Sequence, residues 1–152
     1  MNELKLAEEI DNFLLLTKYN ECNSLVRKNH SYTPDFNNYM NIINNFIIQR
    51  NLDIKVIQLH PSAENGFPHT RPNNIVCVPS NLKFPSLEKT INHELVHIHQ
   101  RNYLGEWTYF LHNEKWFEVN QELIPDRWKE KIRYNPDTIY STFWAFENRY
   151  VP

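Results

Sequence analysis

The 152 residues suit one domain, since compact domains run to roughly 100 to 200 residues, and the formal net charge of −2 is spread evenly, with seven basic and eight acidic side chains in residues 1 to 76 and nine and ten in 77 to 152, which disfavours nucleic acid as a partner. The only glycines are Gly66 and Gly105, which excludes GxGxxG dinucleotide turns, Walker loops and GxSxG nucleophile elbows. Counted with glycine and without tyrosine, the apolar share falls short of the usual ~45 to 50%; nine Phe, eight Tyr and four Trp compensate for a lean core.

Residues 3 to about 19 place Leu4, Ala7, Ile10, Phe13 and Leu14 at helical spacing, with Glu8, Glu9 and Asp11 towards the N-terminal half, where the helix dipole favours acids. Thr33-Pro34-Asp35 reads as a cap for a second helix, carried to about Gln49 by Phe36, Tyr39, Met40, Ile43, Phe46 and Ile47. The period then changes. Asp53 to His60 reads as one strand and Asn74 to Val78 as another, closed by Pro61 and Pro79, with the stretch between them a loop or irregular edge. Pro85-Ser86 opens a helix whose apolar stripe is Leu87, Ile91, Leu95 and Ile98, with Gly105 as its expected terminator. A fourth helix is expected from Trp107 to about Leu123 and a short one from Asp126 to Arg133. Asn135-Pro136-Asp137 is a turn signal, and Tyr140 to Pro152 carries no assignable pattern.

Cys22 and Cys77 stand 55 residues apart with no paired spacing, and the apolar run Phe13 to Leu16 is far short of a signal segment or a membrane span. A cytoplasmic protein without signal peptide or membrane anchor is the expectation. The chemistry lies in His93-Glu94-Leu95-Val96-His97, which is HExxH; with this chain's composition the string arises by chance in roughly 3% of such sequences. On a helix the stripe from Leu87 to Ile98 spans about 80°, while His93 and His97 fall near 240 and 280°. The two imidazoles therefore stand one turn apart on the face away from the core, with Glu94 at their flank. Two neutral nitrogens plus a carboxylate beside a metal-bound water are what zinc hydrolysis requires. His99 points elsewhere, towards the next helix or solvent.

The string His93-Glu94-x-x-His97-x-x-Gln100-Arg101, followed by Ile132-Arg133-x-Asn135-Pro136-Asp137-Thr138, resembles a small uncharacterised group of HExxH proteins often met in large DNA viruses. That likeness covers about residues 85 to 152 and suggests host cytoplasm or virion as the setting. HExxH alone also resembles the zincin metallopeptidases at large, although Gln100 replaces the glycine of the metzincin extension. The zincin resemblance implies an α+β fold in which a short mixed sheet packs on the HExxH helix and its edge strand receives an extended substrate. The segment Pro72 to Val78 is the expected edge.

A catalytic zinc ordinarily takes three protein ligands and a water. Asp137, in the turn that the viral resemblance singles out, is the first choice for the third ligand. Glu118 is its rival, 21 residues beyond His97 and sharing a helical face with Glu114 and Glu122. Cys77 is a distant third, by analogy with peptide deformylases. The expected activity is a zinc-dependent metallopeptidase acting on a peptide or protein substrate, with Zn²⁺ on His93 and His97 and Glu94 as general base. Arg101, His112 or a tyrosine would serve the oxyanion or support the site. The alternative is a zinc-stabilised or metal-free binding or structural module, such as a virion or host-interaction component; a non-peptidic amide hydrolase or a DNA–protein crosslink protease is a weaker third reading. The sequence leaves the substrate and the oligomeric state open.

Overall fold

A computed structural model describes residues 3–13, 52–129, 143–147 and 149–150. The helix expected to end near Gln49, the Asn135-Pro136-Asp137 turn and Cys22 lie outside the described residues. The fold is mixed α+β, as expected, and the described residues form two three-stranded sheets.

In the first sheet β3 (Ile75–Pro79) is central, flanked by β1 (Lys55–Leu59) in parallel and by β2 (His69–Arg71) in antiparallel. Both faces are covered. Val56, Val76 and Val78 pack with Leu87, Ile91, Leu95 and Ile98 of helix α2 (Ser86–Asn102), while Ile57, Leu59, Ile75 and Cys77 pack with Leu4 and Ala7 of helix α1 (Glu3–Asp11). A strand with two buried faces needs an uninterrupted apolar run, which is what Ile75-Val76-Cys77-Val78 supplies. The segment expected as the sheet's edge is thus its centre. Among the described residues the edge beside α2 is β2, inside the stretch read as a loop, where the residues are polar but buried: His69, Thr70 and Arg71 are each at most 3% exposed.

Burying polar residues costs stability unless every group is paired. Asp11 takes Arg71 in a two-pronged grip, with Nε to Oδ2 at 2.7 Å and Nη2 to Oδ1 at 2.8 Å, and Glu8 accepts a further bond from Nη2 at 2.8 Å. The guanidinium also lies 5.1 Å from the centre of the Phe13 ring. Burial alone would lower the Arg71 pKa, but the Asp11 hydrogen bond and the attraction of Asp11, Cys77 and Glu8 outweigh it, so the net shift is upward. Asp11 thereby has a reason to stand where the helix dipole disfavours it, because α1 ends at Asp11 and Asn12 turns into the left-handed region at φ 49°.

The hairpin from β2 to β3 turns on Asn73 and Asn74, both left-handed, a conformation asparagine tolerates better than most residues. Before β2, Gly66 has φ +76°, and an added Cβ would stand 3.0 Å from the Pro61 carbonyl oxygen. Gly105, by contrast, does not end the HExxH helix. That helix stops at Asn102, with the Tyr103 N–H returning to the His99 carbonyl, and Gly105 lies inside α3 (Leu104–Asn113) with nothing near it.

The helix expected to run to Leu123 also ends early. Lys115 takes φ 64° after α3, and Trp116-Phe117-Glu118-Val119, aromatic and β-branched, forms strand β4 (Trp116–Val119). It pairs antiparallel with β5 (Phe143–Phe146), which pairs with β6 (Arg149–Tyr150), so the C-terminal stretch without a sequence pattern contributes two strands among its described residues. A short helix α4 (Asp126–Lys129) lies between β4 and β5 in the chain. Among the described residues no helix is long and apolar enough to cross a membrane.

Candidate metal centre

Helix α2 is seated from both sides of its histidine pair. Leu87, Ile91, Leu95 and Ile98 fill the core, with Ile91 and Ile98 fully buried. The last turn is fastened to the β2–β3 hairpin: Arg101 Nε donates to Thr70 Oγ1 at 3.1 Å, and Asn102 Nδ2 donates to Asn74 Oδ1 at 2.8 Å. Arg101 Nη2 also reaches the Thr70 carbonyl at 3.5 Å. Of the roles open to Arg101, the geometry displays a tie between the HExxH helix and the edge strand.

On the opposite face of α2, His93 is exposed and His97 half-buried. Their Nε2 atoms stand 3.2 Å apart, with the ring planes at 77°. Two nitrogens bound tetrahedrally to zinc at ~2.0 to 2.1 Å are separated by about 3.3 to 3.4 Å, so the pair has the bite a metal needs. His97 Nδ1 lies 2.9 Å from Gln100 Oε1. Glu94, next in the chain to His93, is buried at 4% exposure.

The rival ligands are distributed differently. Cys77 is buried on the α1 face of the sheet, the side opposite α2. Glu118 lies on strand β4, not on a helix, so it shares no helical face with Glu114 or Glu122. Its Oε2 is 2.6 Å from His112 Nε2, and that hydrogen bond holds the Glu118 carboxyl below its usual value. His112 stacks on Phe117, with ring centres 5.6 Å apart, and lies 6.1 Å from Trp144. Asp137 lies outside the described residues. Among the described residues no three His, Cys, Asp or Glu side chains form a metal-binding group. His99 meets the following helix, where its Nδ1 accepts from Trp107 Nε1 at 2.9 Å.

Two partners were not read from the sequence. Gln100 follows His97 by three positions, a spacing at which helical side chains meet, and that was the available signal. Thr70 gave none, because its contact with Arg101 spans 31 residues. Comparison with protein-family models, curated proteins and solved structures returns no match.

Proposed function

We propose that the chain is a zinc-dependent hydrolase, a metallopeptidase in which His93 and His97 hold the metal and Glu94 is the general base. The convergence of the two Nε2 atoms at 3.2 Å on a helix anchored to a buried sheet carries this reading. Asp137 is the proposed third ligand, with Glu118 as its rival; for Glu118 to serve, His112 would have to release it.

Held by His93 and His97, zinc would supply polarisation of the scissile carbonyl and a water acidic enough to ionise near neutral pH. Glu94 takes the proton of the attacking water on its carboxylate and delivers it to the leaving amine as the C–N bond breaks. The Arg101–Thr70 tie keeps the helix and the edge strand in fixed relation while this happens. Activity on a mixture of unfolded proteins tests the proposal. Glu94→Gln should reduce cleavage by about 100-fold or more while zinc stays bound, and cleavage at the wild-type rate in that variant would sink the role. Zinc retention with no hydrolysis by the wild type would instead favour a zinc-stabilised binding module.

A further inference from the structure

We propose that Gln100 is the positioning residue of this centre: its amide oxygen selects the His97 tautomer that leaves Nε2 open to a metal. The inference rests on the metal reading above and adds a residue to it. A neutral imidazole carries one proton, on Nδ1 or Nε2, and the partner of one nitrogen decides which. With Oε1 of Gln100 at 2.9 Å from Nδ1, the proton belongs on Nδ1, and Nε2 keeps its lone pair facing His93 Nε2. The opposite amide orientation would donate to Nδ1, move the proton to Nε2 and close the site. Gln100 sits on the same helix as His97, so the arrangement is built before any ligand arrives. A neutral amide also orients the ring without adding a second negative charge beside the metal.

Gln100→Glu and Gln100→Leu separate the possibilities, because a carboxylate can only accept and leucine can do neither. Nitrogen chemical shifts of His97 in the metal-free protein read the tautomer directly. Wild type and Gln100→Glu should show Nδ1 protonated and Nε2 bare, whereas Gln100→Leu should populate the Nε2-protonated form. Zinc affinity, measured by competition with a chromogenic chelator, should fall roughly 10- to 100-fold in Gln100→Leu and be retained in Gln100→Glu, which also controls for folding. An unchanged tautomer or unchanged zinc affinity in Gln100→Leu overturns the assignment of Gln100 alone. A wild-type protein that takes up no zinc overturns the metal reading beneath it.

Discussion

In the first sheet Ile75, Val76 and Cys77 are fully buried between α1 and α2, whereas most of the described residues from Leu104 onward are exposed or half-buried, with Ile124 and Ala145 buried. Tyr109, Phe110, Phe117 and Leu123 of that later part are exposed. Each part carries a histidine pairing, and the pairings differ with their supports. His93 and His97 stand on a helix locked by four buried aliphatic side chains and two tethers to the hairpin. His112 meets Glu118 across a turn, with both side chains about 40% exposed. Directed lone pairs need a rigid base, and the densely packed part provides it.

The comparison can be broken most forcefully at Asp11. Asp11→Ala leaves the Arg71 charge buried with only Glu8 beside it, and should cost about 3 to 5 kcal/mol, read by denaturant unfolding. Loss of under ~1 kcal/mol would show that Arg71 escapes to water and that the first sheet is less tightly closed than described. Next, Ile91→Ala should cost about 2 to 5 kcal/mol, while Leu123→Ala, at an exposed position, should stay within ~0.5 kcal/mol. Equal costs would erase the distinction between the two parts.

The smallest effect belongs to the Glu118–His112 pair. Because the folded protein lowers the Glu118 pKa, its contribution is present above the usual carboxylate pKa and is lost as pH falls through the folded value. Both partners are substantially exposed, so the contribution is at most ~1 kcal/mol. Stability curves of wild type and Glu118→Gln should therefore differ near neutrality and converge in acid. A gap that widens as pH drops would contradict this.

What the sequence made legible follows the same division. Helix α2 could be read because its apolar stripe, its His pair and its last-turn Arg101 all obey one period. β3 could be read because a strand covered on both faces carries an uninterrupted apolar run, and β1 because Ile54, Val56 and the Leu59 region alternate with polar neighbours such as Lys55 and Gln58. β2 could not: His69-Thr70-Arg71 looks like a polar loop until Asp11, Glu8 and Arg101 are brought to it from other elements. β4 was hidden because Lys115 makes the left-handed stop that glycine usually signals. At the site, the histidines and Glu94 follow from local spacing, and so does Gln100 once i+3 neighbours are asked for. The proposed third ligand, Asp137, lies 40 residues from His97 in the chain, beyond the reach of the helical spacing that singles out the pair.

Metal analysis of purified wild-type protein beside His93→Ala, Asp137→Ala and Glu118→Ala, each exposed to zinc and then dialysed, tests the central claim most directly. The account predicts about one zinc per chain in the wild type, loss in His93→Ala, loss or marked weakening in Asp137→Ala, and retention in Glu118→Ala. Full zinc retention in His93→Ala, or no zinc in the wild type, would contradict it.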